Sequence, residues 1–542
     1  MNKIENLLNS RGFDLDKLLH DDTVYQTTNI PQAADEIMSA IKNNRHIHVV
    51  ADYDCDGVCS GINLYYLLSH FGADFTIRFP KKMSEGYGIS EKIAAEIPDN
   101  SLVVTIDNGI AAVEVVDICN SRGMDVVILD HHIIRADGLV PNAKVVVDPH
   151  IFRDDDEFEH YCGAGLSYVL AKYLDVPKAL LKKMNAVAAL ATVADVVPLV
   201  DDNRNIVKEG LRIINAREVD FPGLYSLIDR LKIKPNTNIL AGVQEEGIAF
   251  QIAPCINAMG RIYDDGAEKV FNYLVHYDKY GEDGITDIIE TNKYRKKLTA
   301  EQENKLEIEA DMLMTPKTTC MVVYVPDLHE GIIGINAAKL CEKYGVPAIA
   351  LTDSEQEGLL KGSARSTEDI NMKKVLDDVS EYIFAYGGHA GAAGLTVEAS
   401  KIQAFRKAIN KATPKSHSGS STTKYDIEIS VDEINEVYDT LRKYAPYGEG
   451  FPQPIVKINQ FNLIKKFGKF YRYIGDKGIA WNGTVCEAVS FELKDKYACL
   501  HAPLTMNIIG TIGWNDYQGG PQIMVNDIQE IVSSTPTTGF LI

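Results

Sequence analysis

The sequence has no long apolar run. None approaches the roughly 18 residues that a membrane-spanning helix needs, so we expect the chain not to enter a membrane. The opening stretch MNKIENLLNSRGFDLDKLL contains acids and no apolar core, and we expect no signal peptide there. The nine cysteines include no CxxC pair, so neither a structural zinc site nor a disulfide framework is indicated. These absences favour a protein of the reducing cytoplasm.

An excess of positive charge is also missing. The chain has 55 Lys and Arg against 76 Asp and Glu, a formal net charge of −21 at pH 7. This balance argues against a protein that coats nucleic acid nonspecifically. It leaves room for a locally basic groove, or for a carboxylate-rich site that needs cations. The length of 542 residues indicates about three or four domains.

Short apolar runs alternate with amphipathic segments from about residue 40 to residue 215. The predicted buried strands are 46–51, 102–106, 126–129 and 144–147. The predicted helices between them include 60–72 and 111–123. This alternation is typical of βαβ units, so we expect an α/β domain with a parallel sheet covered by helices.

The rest of the chain shows three further patterns. Residues 287–314 contain no Gly or Pro and predict one long connecting helix. A second α/β pattern follows, and the short alternating strands near the C-terminus suggest a small closed β module. The predicted parts are an N-terminal helical segment 1–40, the first α/β domain 41–215, a helical extension with the long helix 216–315, a second α/β domain 316–412, a polar linker 413–423 and the β module 424–542.

Metal-capable side chains follow the predicted strands directly or interrupt apolar runs. If the first strand stayed extended, alternate acids after it would share one side. A calcium loop is an alternative, but its twelfth position would be Asn63 instead of glutamate. Solvated turns, helix caps, and buried acids paired with backbone amides or arginine would also account for such residues. The residues concerned are Asp52, Asp54, Asp56, Asp107, Asp130, His131, His132 and Asp195.

Parallel strands expose their carboxyl ends at one edge of a sheet, so these groups should converge. About five carboxylates in one crevice repel each other, and divalent cations relieve that repulsion. Oxygen ligands with one or two imidazoles favour manganese or magnesium over zinc. Two such ions roughly 3.5–4 Å apart would activate a water for phosphoester hydrolysis. One histidine would be a ligand, and the other could lie beside the scissile phosphate.

Two downstream segments could bind phosphate. GLLKGSARS offers Ser363, Arg365 and Ser366 as donors, although an ordinary strand-to-loop turn is the alternative. In YGGHAGAAG, Gly387 and Gly388 would allow close approach to a ligand, and His389 could donate to it. The alternative for this stretch is a tight helix entry.

A basic and aromatic segment lies in the predicted β module. Cations there could follow phosphates while rings stack on bases, which favours an OB-type binder of single strands. A strand with buried rings and solvated lysines is the alternative. The residues are Lys465, Lys466, Phe467, Lys469, Tyr471 and Arg472.

Eight short segments together resemble a known family. DYDCDG, IDNG, LDHH and ADVVPL have the order and spacing of the DHH phosphoesterase superfamily. The segments NAMGR, HEGIIGI, GSARS and GGHAGAAG are similar to those of RecJ-type single-stranded-DNA exonucleases. The resemblance covers about residues 45 to 535. It implies a DHH domain, a DHH-associated domain, an OB-like barrel, and a manganese- or magnesium-dependent exonuclease acting from the 5′ end in DNA recombination and repair.

The resemblance also implies roles for individual residues. Asp54, Asp56, Asp107, His131 and Asp195 match metal ligands, with Asp52 beside them. The residues assigned to catalysis are Asp130, His131 and His132. The residues assigned to phosphate or nucleotide are Asn257, Arg261, Ser363, Arg365, Ser366, Gly387, Gly388 and His389. The sequence departs from the family at Cys255, where a basic residue is common.

Two further functions stay open. One is a DHH-type phosphodiesterase acting on short oligonucleotides or cyclic dinucleotides, which the β module disfavours because small substrates need no such platform. The other is a catalytically inactive replication scaffold, which the complete acidic set argues against. We expect single-stranded DNA as the partner, a helicase or single-strand-binding protein as a further partner, and a monomer.

Overall fold

The protein is described by a computed structural model covering most of the chain. The described residues are 2–21, 23, 25–82, 84–135, 137–152, 158–233, 242–415, 424–471, 477–483, 486–490, 504–515 and 519–533. Within strands, side chains are described except for residues 463–471, 477–483, 504 and 530–533. The chain forms two compact units. Unit 1 comprises Met1–Met259, Asp265–Ile289 and Thr423–Ile542, and unit 2 comprises Gly260–Asp264 and Glu290–Thr422.

A five-stranded parallel sheet forms the centre of the first domain in unit 1. Its strands are β1 (Ile47–Ala51), β2 (Phe75–Arg78), β3 (Leu102–Ile106), β4 (Asp125–Leu129) and β5 (Val145–Val147). They lie in the order β2-β1-β3-β4-β5. The three central strands are rich in Val, Ile and Leu because both faces of the sheet are covered. On β1, Val49 packs into the core on one face, while its neighbour Val50 packs into the core on the other.

Helices cover both faces of this sheet and extend the domain. On one face α4 contacts α7 and α8, and α8 contacts α9. On the other face, buried residues of α5 and α6 share a core with β1, β3 and β4. The helices from the N-terminus to the long connecting helix are α1 (Lys3–Ser10), α2 (Leu15–Leu19), α3 (Ile30–Lys42), α4 (Cys55–His70), α5 (Glu91–Glu96), α6 (Val113–Ser121), α7 (Gly163–Tyr173), α8 (Lys178–Ala194), α9 (Asp201–Ala216), α10 (Pro222–Arg230), α11 (Glu245–Gly247), α12 (Ala253–Ile262), α13 (Gly266–Val275) and α14 (Tyr277–Leu313).

Unit 2 is built on a mixed sheet. It contains β6 (Met321–Tyr324), α15 (Glu330–Tyr344), β7 (Ala348–Asp353), β8 (Leu359–Arg365), α16 (Met372–Asp378), β9 (Ala385–Gly388), β10 (Ala392–Glu398) and α17 (Ile402–Ala412). The strand order is β6-β7-β8-β10-β9, with β6 and β7 parallel and the other pairs antiparallel. A hairpin from β9 to β10 carries GGHAGAAG, so the alternative of a helix entry there was wrong.

A closed β-barrel forms the C-terminal part of unit 1. Its elements are β11 (Ile427–Ser430), α18 (Ile434–Lys443), β12 (Val456–Tyr471), β13 (Lys477–Gly483), β14 (Glu487–Ser490), β15 (Leu504–Asn515) and β16 (Gly520–Ser533). The strand order runs β12-β13-β14-β16-β15, and β12 also pairs with β15, which closes the ring. Ile4 and Leu8 of the N-terminal α1 belong to the core of this module. No pattern in the sequence indicated that packing.

The predicted fold class is confirmed. The parallel sheet, the long helix, the second α/β domain and the C-terminal barrel are all present. The long helix α14 starts ten residues earlier than predicted, with a kink at Gly281. Among the described residues, no helix combines the length and the apolar content that crossing a bilayer requires. Most of the predicted linker, residues 416–423, lies outside the described residues.

Candidate metal centre

Three acids lie side by side at the carboxyl edge of the parallel sheet. In the strand register Ala51 pairs with Ile106, which pairs with Leu129. The residues that follow these partners are Asp52, Asp107 and Asp130, so the register brings their side chains to one edge. The order β2-β1-β3 also makes the β1–β3 border the point where the strand order reverses, which is where open α/β sheets bind ligands.

The acids that follow Asp52 are positioned by helices. Alternate acids would share one side only if the strand stayed extended, but β1 ends at Ala51 and α4 begins at Cys55. Asp54 is the N-cap of α4, and its Oδ1 accepts hydrogen bonds from the amides of Asp56 and Gly57 at 3.0 and 3.1 Å. The helix turn, rather than an extended alternation, therefore places Asp54 and Asp56.

Asp56 also lies at the start of a second helix. Its Oδ2 accepts a hydrogen bond from the amide of Gly163 at 2.6 Å, and its Oδ1 accepts one from Ala164 at 2.8 Å. These are the first residues of α7, where free amides and the helix dipole favour a negative charge. Oδ1 also accepts from Ser60 Oγ at 3.4 Å, while Oδ2 retains a further lone pair for a metal.

His131 joins the acids into one cluster. Its Nε2 lies 3.1 Å from Asp107 Oδ1, 3.6 Å from Asp56 Oδ2 and 3.8 Å from Asp195 Oδ2. Asp195 reaches the site from the C-terminal end of α8, where it is the C-cap. Three groups offer ligand atoms that all lie within 4.8 Å of one another: Asp56, His131 and Asp195; Asp52, Asp54 and Asp107; and Asp107, His131 and His132.

Mutual repulsion makes this cluster a good fit for cations. Burial and then the neighbouring acids raise the pKa of Asp52, Asp54 and Asp107, and they raise the pKa of Asp195 to about 8. Asp52 Oδ1 is buried without a hydrogen-bond partner among the described residues. Oxygen donors with an imidazole are the set that Mn²⁺ and Mg²⁺ accept. The six residues assigned to metal thus lie together.

Asp130 has a different place in the site. Its Oδ2 accepts a hydrogen bond from the Ile110 amide at 2.9 Å, and its Oδ1 lies 2.7 Å from Nδ1 of His132. Burial opposes ionisation of Asp130, but the hydrogen bond and charge of His132 outweigh it and lower the pKa. Asp130 therefore orients His132 and is not one of the residues in the candidate ligand groups.

His132 lies at the mouth of the site with its side chain 44% exposed. Burial lowers the pKa of His132, but the hydrogen bond to Asp130 and the negative charge of Asp130 outweigh burial and raise this pKa to about 9. The Tyr87 hydroxyl lies 3.2 Å from its Nε2 and donates a hydrogen bond to the carbonyl of Asp107 at 3.0 Å. A protonated imidazole is thus held beside the acidic cluster.

Three residues that support the cluster were not predicted from the sequence. Asn108 donates to the carbonyls of Val50 and Ile106, which ties the ends of β1 and β3 together. Gly163 leaves space for Asp107, since a Cβ there would lie 2.6 Å from the Asp107 Cβ. Tyr87 contacts His132. Only Asn108 was within a recognised motif, IDNG, and no pattern indicated the other two.

Part of the predicted phosphate set comes together in unit 2. On β8, buried residues alternate with Lys361, Ser363 and Arg365, which therefore share one face. Arg365 Nη1 donates to Ser363 Oγ at 2.9 Å. Burial and then the charge of Arg261 lower the pKa of Arg365, so the two guanidinium groups are close enough to repel.

The remaining side chains of the predicted phosphate set have local structural contacts. Asn257 Oδ1 accepts a hydrogen bond from the Cys55 amide at 2.8 Å, so this side chain supports the turn that holds Asp54. Ser366 Oγ donates to the Ile370 carbonyl at 2.7 Å. His389 Nδ1 accepts from the Gly391 amide at 3.2 Å, in the turn of the hairpin.

The two predicted glycines lie in a strand, and the single-strand set is described only in part. Gly387 and Gly388 lie in β9 and pair with Gly394 and Ala393 of β10. Arg472 lies outside the described residues altogether. The other five residues belong to the backbone of β12, but their side chains are outside the described residues: Lys465, Lys466, Phe467, Lys469 and Tyr471.

Comparisons with known families match three consecutive parts of the chain. Residues 46–194 match the DHH family N-terminal domain, residues 317–414 the DHHA1 domain and residues 425–527 the RecJ OB domain. The chain belongs to the DHH family and is of the RecJ type. All three matched segments lie within domains that the fold shows independently.

Curated DHH-family relatives are similar along most of their length. The single-stranded-DNA-specific exonuclease RecJ of Bacillus subtilis is 29% identical over 546 residues, covering 97% of this chain and 67% of that protein. The protein of the same name from Escherichia coli K12 is 27% identical, covering 83% of this chain and 80% of that protein.

Solved structures of RecJ proteins have the same fold. An exonuclease RecJ bound to manganese is 28% identical with a TM-score of 0.61, covering 72% of this chain and 95% of that chain. RecJ of Thermus thermophilus in complex with Mn²⁺ has a TM-score of 0.77 at 24% identity, covering 97% of this chain and 75% of that chain. Because the Thermus thermophilus protein is only 24% identical, its similarity shows a shared fold alone.

Replacing Asp107 directly tests the acidic cluster as a metal site. Changes that only disturb a metal ligand's hydrogen-bond partners cost about 10–100-fold in affinity or activity. We expect Asp107→Ala to lower the cleavage rate of single-stranded DNA by more than about 100-fold, with DNA binding largely intact. The matched control is Asp117→Ala, an exposed acid on α6, the helix that follows Asp107. Full activity of Asp107→Ala at modest Mn²⁺ would contradict the assignment.

The raised pKa values predict how stability depends on pH and metal. A carboxyl group whose pKa is raised by folding stabilises the fold below its ordinary value of about 3.8, and that stability is lost as the pH rises through the raised value. For Asp195 the loss extends to about pH 8. His132 acts in the same direction, and His131, whose pKa burial lowers, acts oppositely at low pH.

We therefore expect Mn²⁺ to raise the thermal unfolding midpoint more at pH 8 than at pH 5. The measurement is differential scanning calorimetry of the protein in EDTA and in Mn²⁺ at both pH values. The Asp107→Ala variant should show a smaller metal-dependent rise. An unfolding midpoint that does not respond to Mn²⁺ at pH 8 would speak against a cation-binding cluster.

Gly163 offers a test that leaves every ligand in place. A Cβ at this position would lie 2.6 Å from the Asp107 Cβ and 2.9 Å from Ser60 Oγ. We expect Gly163→Ala to weaken Mn²⁺ binding about 10-fold or more, because Asp107 must shift. Gly247→Ala is the control, since its new Cβ has no described neighbour closer than 3.9 Å. Isothermal titration calorimetry with Mn²⁺ measures both, and equal affinities would show that the packing at Gly163 is irrelevant to the site.

Proposed function

We propose that this protein is a metal-dependent exonuclease that removes nucleotides from the 5′ end of single-stranded DNA. The observation that carries the proposal is the gathering of six side chains into groups within ligand distance: Asp52, Asp54, Asp56, Asp107, His131 and Asp195. Single-stranded-DNA exonuclease activity is what the curated RecJ relatives are named for. The 5′ direction, the use of two ions and a role in DNA recombination and repair are the finer parts of the proposal.

The ligand groups suit two divalent ions. Asp56, His131 and Asp195 would hold one, and Asp52, Asp54 and Asp107 the other. Asp107 and His131 connect the two sets, since Asp107 Oδ1 lies 3.1 Å from Nε2 of His131 and each residue belongs to two of the three groups. Mn²⁺ or Mg²⁺ bound there would supply an activated water and offset the charge on the leaving oxygen.

In this proposal the protein's own side chains orient His132 and let it donate a proton. Asp130 accepts the hydrogen bond from Nδ1 of His132, which leaves Nε2 as the atom able to donate a proton. With a pKa of about 9, His132 carries that proton at neutral pH. In this proposal it donates to the scissile phosphate or to the leaving oxygen, and Tyr87 restricts its ring.

The face of β8 that carries Lys361, Ser363 and Arg365, here called the cationic face, suits the end of a DNA strand. Arg365, Ser363 and Arg261 combine two neighbouring guanidinium groups with a hydroxyl. A phosphate would relieve the repulsion between the arginines and accept two or more charge-assisted hydrogen bonds. We assign this face to the terminal 5′ phosphate, which gives the enzyme its direction.

The barrel module suits a single strand. Closed five-stranded barrels of OB type bind oligonucleotides, and β12 carries the basic and aromatic segment at 465–471. A binding module of this kind suits a long single strand, which favours an exonuclease over an enzyme for short oligonucleotides. We also propose a cytoplasmic monomer that acts after a helicase or a single-strand-binding protein has exposed its substrate.

End-labelled digestion tests the direction of cleavage. With a 5′ label we expect mononucleotide release from the first time points, while a 3′ label stays in gradually shortening strands. Removing the 5′ phosphate should slow wild-type cleavage, and Arg365→Ala should reduce the rate about 10–100-fold and abolish that preference, because charge-assisted hydrogen bonds contribute about 1.5–3 kcal/mol.

Lys407→Ala, an exposed cation on α17, is the matched control for charge. Early release of the 3′ label as mononucleotide would overturn the proposed direction. Faster cleavage of dinucleotides than of long strands would favour the small-substrate phosphodiesterase instead, and no cleavage with Mn²⁺ would favour the scaffold.

A further inference from the structure

A buried arginine connects the catalytic domain to the barrel module within unit 1. Arg204 on α9 is only 3% exposed. Its Nη2 donates to the carbonyls of Tyr444 at 2.6 Å and Ala445 at 3.2 Å, and its Nη1 donates to the carbonyl of Pro446. These carbonyls lie just beyond the C-terminus of α18, where the helix offers them no amide partners.

The guanidinium group has an unusual environment. Its centre lies 4.5 Å from the ring centroid of Phe451, which adds a cation–π contact. Burial lowers the pKa of Arg204 to about 10, so it stays charged at neutral pH. Its Nη atoms donate to three carbonyls rather than to a carboxylate. A buried cation is costly unless hydrogen bonds offset the cost, and Nε of Arg204 has no partner among the described residues. The three carbonyls of this loop therefore supply the hydrogen bonds that hold the charge, and the loop geometry and Arg204 depend on each other.

The same loop contacts the segment that carries a candidate metal ligand. We call residues 444–451 the clamp loop. The Leu199 amide, four residues after Asp195, donates to the Glu449 carbonyl at 2.7 Å. A Cβ at Gly448 would overlap Leu199 Cδ1, so the loop and the segment are in direct contact.

The segment itself needs external support. Val196, the residue after Asp195, has a φ of 58°, a left-handed conformation that is strained for a β-branched residue. Such strain persists only when surrounding structure imposes it. Asn203 Nδ2 donates to the Pro198 carbonyl at 3.0 Å, and the clamp loop holds Leu199. The chain from Asp195 to Arg204 is therefore held at several points.

We propose that the clamp loop, held by Arg204, positions Asp195 for metal binding, so that the barrel module supports the metal centre as well as any contact with DNA. Arg204 is then a positioning residue that acts through Leu199 and the strained turn at Val196. The inference rests on the proposed function only in requiring that the cluster binds a divalent cation.

The test compares Arg204→Met with Arg442→Met in the full chain. Arg442 is exposed on α18, so its replacement removes the same charge without touching the clamp loop. We expect Arg204→Met to weaken Mn²⁺ binding about 10-fold in calorimetry or electron paramagnetic resonance, and Arg442→Met to bind as the wild type. Arg204→Lys, which keeps the charge but has fewer donors, should be intermediate.

A short substrate separates positioning from DNA binding. A 5′-phosphorylated trinucleotide is too short to need the barrel, so a positioning defect should lower its cleavage and raise the Mn²⁺ requirement to the same extent as for long strands. If Arg204→Met only raises KM for long strands, with Mn²⁺ affinity and trinucleotide cleavage unchanged, the proposal is wrong and Arg204 merely attaches the module.

A second variant covers the case in which Arg204→Met does not fold. Gly448→Ala pushes a methyl group against Leu199, and Gly513→Ala, with no described atom within 4 Å of the new Cβ, is its control. Weaker Mn²⁺ binding by Gly448→Ala alone supports the inference, and unchanged binding overturns it. A wild-type protein that binds Mn²⁺ but does not cut single-stranded DNA would refute the proposed function and leave this inference standing.

Discussion

Repulsion between buried carboxylates is the constraint around which this protein is built. Asp52, Asp54, Asp107 and Asp195 are ionisable groups whose pKa values rise because they are buried and close together. Left alone, such a cluster would take up protons or move apart. The fold holds it in place with strand register, helix amides and the imidazole of His131, and this arrangement makes divalent cations the natural complement.

The candidate sites of the two units carry opposite charge. Unit 1 supplies the acidic cluster, and unit 2 supplies the face of β8 on which Ser363 and Arg365 alternate with buried residues. The net charge of −21 conceals this division, because the cationic face is small and local. A short-range contact orients a group at both places: His132 donates a charge-assisted hydrogen bond to Asp130, and Arg365 donates one to Ser363.

Much of the fold followed from local patterns. Apolar runs ending in acids predicted the strands, and the strand 102–106 was predicted with its observed limits. Two local assumptions differ from the structure for identifiable reasons. The condition of an extended strand after Asp52 is not met, because Asp54 caps α4, and the alternative of a helix entry at the glycines 387–388 is wrong, because they pair with β10 in a hairpin. The resemblance assigned Asn257 to phosphate, and in the structure its Oδ1 accepts a hydrogen bond from the Cys55 amide.

The sequence by itself determined which acids and histidines lie together, since their positions after the predicted strands are visible as letters and parallel strands bring their ends to one edge. Only the tertiary structure decided how these residues are supported. Gly163 beside Asp107, Tyr87 beside His132, and Arg204 against the clamp loop are contacts between residues that are far apart in the chain. No periodicity or composition records them, because they arise from packing between elements and not from the preference of any one segment.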